Sequence, residues 1–250
     1  MALLAVVRPV ITLVGVGHVF DLKRQVREVI VSRQPRVVGI ELDRVRWVAL
    51  QAQDRRGDAP LVYRLLSFFQ ERVADQYEGH VGDEMLAAAA AAREVGADLA
   101  LIDRDSAEVF QDLWGGMSFE ERVRLVVAAL ASVFVTKKRV EKELARFEAD
   151  NAGYLEEFGN QFPRAKHVLI DERNAHMARL LREIHGSRGR VVAVIGDGHI
   201  EGLRHALAGL PVEVIRLGDL RASRIPPAPP APPDGPSVTF SYDVGGTGTG

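Results

Sequence analysis

Short runs of β-branched residues alternate with helical patterns along most of this 250-residue chain, and that alternation leaves few architectures open to it. Val10-Ile-Thr-Leu-Val14 is a strand-forming run closed by Gly15, after which Leu22, Val26, Val29 and Ile30 recur at the spacing of one helix face. Pro35 stops that helix, and Arg36-Val-Val-Gly-Ile-Glu41 reads as a second strand whose last residue is acidic. The same order returns at Ala97 to Asp103, at Val191 to Ile195 and at Val212 to Arg216. Strands separated by helical crossovers run parallel, so the expected fold class is α/β with a mainly parallel sheet.

Between the third and fourth strand candidates the patterns are helical only: Phe119 to Val135, Lys137 to Asp150 and Ala165 to His185. Two more helices are expected upstream, over Tyr63 to Ala74 and Gly82 to Ala97. The charged stretch Lys137-Lys-Arg-Val-Glu-Lys-Glu is read as a solvated helix face. This helical insertion, over about 105–185, is expected to cap the carboxyl ends of the strands, where open α/β sheets hold ligands. The domain is expected to span 1–221. The Pro/Gly-rich remainder, 222–250, reads as a disordered tail, although Val238-Thr-Phe-Ser-Tyr242 has the composition of an edge strand.

Composition narrows the function. Lys and Arg total 32 against 34 Asp and Glu, a balance that gives no field to hold nucleic acid or an anionic membrane. The chain has no Cys, which excludes disulfides, thiolate nucleophiles and zinc ribbons and fits a reducing, cytoplasmic setting. The apolar start, Met1 to Val7, lacks a basic flank and is broken by Arg8-Pro9, so it reads as extended chain rather than a signal sequence. The apolar helix candidates Glu84 to Ala97 and Val123 to Val135 are short and bounded by charges, and no stable membrane insertion is expected. The expected particle is soluble, with a helix-rich surface suited to homo-oligomers.

The chemistry is sought first in an internal echo. Val10-Ile-Thr-Leu-Val-Gly-Val-Gly-His-Val19 lies over Val191-Val-Ala-Val-Ile-Gly-Asp-Gly-His-Ile200, strand on strand and Gly-x-Gly-His on Gly-x-Gly-His. Glycine permits positive φ and close backbone approach, so each turn can leave its strand sharply and present an imidazole at the sheet edge. A phosphate cradle is disfavoured, because both turns lack the third glycine of a dinucleotide fingerprint and Asp197 would repel an anion. Structural histidines are the plain reading of either turn alone. The repetition favours a shared metal or acid/base centre of His18 and His199 with the strand-end carboxylates Glu41 and Asp103. Imidazole with carboxylate and no thiolate suits Mn, Co, Zn or Fe. For either carboxylate a salt bridge or helix cap competes with ligation. Glu84 stands at a helix start, where interaction with the helix dipole is the plain reading, and Glu172 and Arg173 read as one polar helix face. No HExxH helix and no GxSxG elbow occurs, which excludes the common zincin and serine hydrolase signatures.

Gly15-Val-Gly-His18, Gly39-Ile-Glu-Leu-Asp-Arg44, Gly82-Asp-Glu-Met85, Leu101-Ile-Asp-Arg104, Asp171-Glu-Arg-Asn-Ala-His-Met177 and Val194-Ile-Gly-Asp-Gly-His199 together resemble the TraB family, with the GumN and TIKI proteins as more distant relatives. The resemblance covers roughly 10–218. It implies an α/β core and a metal-dependent peptidase activity like that proposed for the TIKI branch. Carried onto this chain, it implies site roles for His18, Glu41, Glu84, Asp103, Arg104, Glu172, Arg173 and His199. Many TraB-like proteins carry transmembrane helices after this domain, where this chain has its Pro-rich segment, and several act as regulators.

The expected function is therefore a metal-dependent hydrolase, most simply a peptidase. His18, Glu41, His199 and Asp103 would hold a divalent transition metal, Glu84 or Glu172 would act as general base, and Arg104 and Arg173 would stabilise an oxyanion. The alternative is a non-catalytic regulator that binds a peptide or small ligand in the same pocket.

Overall fold

A computed structural model describes residues 10–17, 20–52, 82–132, 142–143, 145–147 and 149–227. The expected segments Met1 to Val7, Tyr63 to Ala74 and Val238 to Tyr242, and much of Lys137 to Asp150, lie outside the described residues, as does His18.

The strand candidates form five strands: β1 (Ile11–Val16), β2 (Val37–Ile40), β3 (Asp98–Leu101), β4 (Val191–Gly196) and β5 (Val212–Ile215). All pair in parallel, in the order β3-β2-β4-β1-β5. The mainly parallel α/β sheet expected from the sequence is the one observed.

The helices are α1 (Lys23–Arg33), α2 (Arg44–Gln51), α3 (Asp83–Glu94), α4 (Ser106–Gly116), α5 (Phe119–Ser132), α6 (Asn151–Gln161), α7 (Pro163–Lys166), α8 (Arg173–Arg188), α9 (Ile200–Ala206) and α10 (Leu217–Arg221). Strand alternation sorts them onto two faces. Val14, Val16, Val38, Ile40, Val192 and Val194 pack on one side with α1 and α3, through Val26, Ile30, Met85 and Ala88. Ile11, Leu13, Val191, Ala193 and Ile195 face the other side, against Met177 and Leu181 of α8 and Ile200 and Leu203 of α9. Because both faces are covered, the inner strands carry nearly continuous apolar runs rather than alternating ones, with Thr12 the one polar residue in β1.

The segment between β3 and β4 is helical, and it holds a small core of its own formed by Val109, Leu113, Met117, Phe162, Ala165 and Val168. The pattern read as one helix over Ala165 to His185 is interrupted. α7 passes into a π-helical turn, His167–Glu172, before α8 begins. Such turns insert an extra residue into the helical phase. No described helix is long and apolar enough to cross a membrane.

Candidate functional site

The echo noted in the sequence is a pair of neighbours in the sheet. β1 and β4 are hydrogen-bonded side by side, from Ile11 with Val191 to Val16 with Gly196. The two glycine turns therefore leave the same edge from adjacent strands. None of Gly15, Gly17, Gly196 and Gly198 has positive φ, so close approach is what these positions require. A Cβ on Gly15 would stand 2.1 Å from Asp197 Oδ1, and one on Gly17 would stand 3.0 Å from Leu217 Cδ2. Asp197 is itself fixed, accepting from Arg216 Nε (2.9 Å), Arg216 Nη2 (2.6 Å) and the Leu217 amide (2.9 Å). In the second turn the aspartate ties β4 to the end of β5, and the histidine is left for the site.

His199 ends a single 3₁₀ turn, Asp197–His199, and is buried. Its Nδ1 lies 2.8 Å from Asn174 Oδ1 on α8, and its Nε2 lies 3.3 Å from Glu41 Oε1. Glu41 is the first residue past β2. Its backbone amide still reaches Val194 O (3.1 Å), while its Oε2 accepts from the Gly196 amide (2.5 Å). The carboxylate thus braces the turn that carries His199. Glu41 Oε1 also accepts from Arg173 Nη2.

Arg173 is the centre of a row of charges that is buried except at Arg46, whose side chain is 37% exposed. Nε donates to Asp103 Oδ1 (2.8 Å), Nη2 to Asp103 Oδ2 (2.6 Å), and Nη1 to Leu169 O inside the π turn (3.1 Å). Burial disfavours its charged form, but the carboxylates of Glu41 and Asp103 more than offset this and hold its pKa above the ordinary arginine value. Arg46 Nη2 donates to Asp103 Oδ2 as well, and Arg46 Nε to Asp43 Oδ2 (2.6 Å). Asp43 in turn caps α2 by accepting from the Arg46 amide (2.9 Å) and also accepts from the Ser106 amide (3.1 Å). Across the carboxyl ends of β4, β2 and β3 the row runs His199, Glu41, Arg173, Asp103, Arg46, Asp43, with cation and anion alternating from Glu41 onward.

Arg104 and Glu172 meet one layer further out. Arg104 donates from Nη1 to Glu172 Oε2 (2.5 Å) and from Nη2 to Asp112 Oδ2 (2.7 Å). Glu172 Oε1 faces His167 Nε2 at 3.2 Å, so this pair ties α4 to the π turn. Glu84 is 1% exposed in the first turn of α3, which starts beside α1, where Lys23 Nζ bonds Asp83 Oδ2 (3.1 Å).

The donor set bears on a metal. Asp103 accepts four hydrogen bonds, two at Oδ1 from Arg173 and the Arg104 amide and two at Oδ2 from Arg173 and Arg46, which fills its acceptor capacity. In this arrangement Asp103 anchors guanidinium groups. His199 Nε2 and Glu41 Oε1 fit a cation better. With Nδ1 bonded to the Asn174 carbonyl oxygen, the lone pair of a neutral imidazole at Nε2 would face a carboxylate oxygen, and a proton or a divalent cation between them relieves that opposition. Among the described residues no group of three or more His, Cys, Asp or Glu converges as a metal cage.

Sequence reasoning missed Asn174, Arg46 and Asp43 as parts of this edge. Asn174 carried a legible signal, because it shares a buried stripe of α8 with Met177, Ala178 and Leu181. A carboxamide on such a stripe needs a polar partner. A Cβ on Gly202 would meet Asn174 Nδ2 at 2.1 Å, so the glycine after the second histidine is where the carboxamide fits.

The model of the TraB/PrgY/gumN family matches residues 8–210. An uncharacterized protein of Methanocaldococcus jannaschii is 27% identical over 206 residues, covering 77% of this chain and 52% of the relative. The chain thus spans about half the length of the curated relative it matches.

Proposed function

The chain belongs to the TraB/PrgY/gumN family, and from that premise we propose that it is a hydrolase of peptide bonds, with Glu41 and His199 as its reacting groups. The observation that carries this reading is the approach of His199 Nε2 to Glu41 Oε1, 3.3 Å apart, in a place where both side chains are held from behind. Asn174 orients the imidazole and Arg173 donates to the Glu41 carboxylate. A buried, oriented imidazole beside a buried carboxylate is suited to holding and moving a proton.

A divalent transition metal, one of Mn, Co, Zn and Fe, would be held by His199 and Glu41 and would supply Lewis acidity toward a carbonyl oxygen. Arg173 acts through Glu41 and Asp103 and is in this reading a positioning residue. Arg104 and Glu172 hold the helical insertion over the edge.

The test is cleavage of a mixed peptide library by the full chain, stripped with chelator and reloaded with each of the four metals, read by mass spectrometry. Cleavage is expected with at least one metal, falling roughly 100-fold or more in Glu41→Gln and His199→Ala, as loss of an acid/base group does. Metal content measured on the same proteins should fall in His199→Ala and in His18→Ala. No cleavage with any metal, or a His199→Ala protein as active as the parent, refutes the proposal.

A further inference from the structure

A cavity of about 440 Å³ opens beside His199, between the helical insertion and the turn after β4. Its volume falls within the range of pockets that hold small ligands. Gly198, the residue before His199, and Gly202 line it on the sheet side, where no side chain stands between a ligand backbone and the turn. Leu155, Pro163 and Ile170 supply apolar walls from α6, α7 and the π turn. Lys166 also borders it, but its charge is taken by both oxygens of Asp171, at 2.8 and 2.9 Å. The exposed Glu156 carboxylate on the border disfavours a second acid.

One polar group distinguishes this cavity from a plain apolar hollow. Asn174 is 6% exposed and lines it. Its Oδ1 is occupied by His199 Nδ1, whereas its Nδ2 has no hydrogen-bond acceptor among the described residues. Nδ2 lies against Gly202, itself part of the lining. Nδ2 is not closed off from the cavity, so it can donate to an acceptor that a ligand brings.

We propose that this cavity is the subsite for an uncharged, apolar residue of a peptide, whose backbone carbonyl accepts a hydrogen bond from Asn174 Nδ2 while its side chain packs between Leu155 and Ile170. The proposal takes its ligand class from the peptidase reading above. Because Asn174 also touches the imidazole, occupancy of the subsite brings the neighbouring peptide bond to the Glu41–His199 pair.

The experiment uses the full-length Glu41→Gln protein and two probes, N-acetyl-leucine N-methylamide and its glutamic acid counterpart, titrated by amide NMR. The leucine probe is expected to shift the amide signals of Gly198 and Gly202 and to bind roughly tenfold or more tighter than the glutamate probe. Adding Asn174→Asp, which replaces the donor by an acceptor, or Leu155→Asp should weaken the leucine probe by roughly tenfold. Leu155→Ser serves as the milder variant if Leu155→Asp does not fold. Unmoved glycine signals, equal affinity for the two probes, or unchanged binding in the Asn174 and Leu155 variants overturns the subsite. Binding as described in a protein that hydrolyses no peptide upholds the subsite and sinks the hydrolase reading. Hydrolysis whose side-chain preference is unaltered by Leu155→Asp sinks the subsite alone.

Discussion

Arg173→Ala removes the guanidinium that stands between Glu41 and Asp103, and the structure allows its cost to be apportioned. Asp103, with a side chain 1% exposed, would keep Arg46 and the Arg104 amide. Glu41, 6% exposed, would keep the Gly196 amide and the imidazole and would lose its bond to Arg173. Each of the two buried carboxylates thus loses a charge-assisted partner. Breaking a buried pair by removing one partner costs about 3–5 kcal/mol. With a urea dependence of about 1–3 kcal/mol per molar, the unfolding midpoint should fall by at least about 1 M. Arg173→Lys keeps the charge but not the fork, and should lie between parent and alanine variant. A double-mutant cycle with Glu41→Gln should return a coupling within the roughly 0.5–3 kcal/mol range of interacting neighbours, because the two side chains are in direct contact. A cost below about 1 kcal/mol for Arg173→Ala with an unchanged urea slope, or a coupling indistinguishable from zero, would refute the account of this row as a coupled network.

Two further outcomes follow from neighbouring contacts. Burial raises the Asp43 carboxyl, but its hydrogen bonds from the Arg46 and Ser106 groups and the charge of Arg46 bring it below the ordinary value of 3.8. A carboxyl depressed in the folded state contributes stability fully present above its unfolded pKa and lost as pH falls through the folded one. Urea midpoints measured across that acid range should therefore drop less steeply in Asp43→Asn than in the parent. Gly202→Ala places a methyl group where Asn174 Nδ2 now lies, 2.1 Å away, so the carboxamide must withdraw from His199. A crystal structure of that variant with Asn174 Oδ1 still bonded to His199 Nδ1 would contradict this steric argument.

The sheet was legible in the sequence because its signals are local. β1 and β4 are rich in β-branched residues and almost wholly apolar, and burial on both faces is what such a run means. The helix after β1 was legible from Leu22, Val26, Val29 and Ile30, all of them buried. The strand order was not legible, since pairing of β1 with β4 rather than β2 is set by crossover geometry that periodicity does not record. At the edge, the short motifs pointed to Glu41, Asp103, Arg173 and His199, which the structure brings into one hydrogen-bonded row. What those motifs left unread is how the groups divide the work among themselves. Arg173 reads as part of a solvated face, yet it stands one turn before the buried Met177 and two before Leu181, so the regular phase of α8 itself directs it inward. Arg46 was hidden for another reason. It follows its cap Asp43 by three residues, a local signal of a helix start, and nothing local records its reach to Asp103.

The strand order also has a bearing on how the molecule is made. β1 leaves the ribosome before every other described strand, yet both of its neighbours, β4 and β5, are the last of them. Until they emerge, an apolar strand with two open edges must wait, and each contact that finally closes it spans most of the chain, the kind of contact that slows folding. During that interval the helical insertion, with its own small core, can fold first on local contacts. The central strand of the sheet is thus a late addition to the folded molecule, and nascent chains arrested before β4 would present to chaperones a hydrophobic ribbon that the finished protein hides completely.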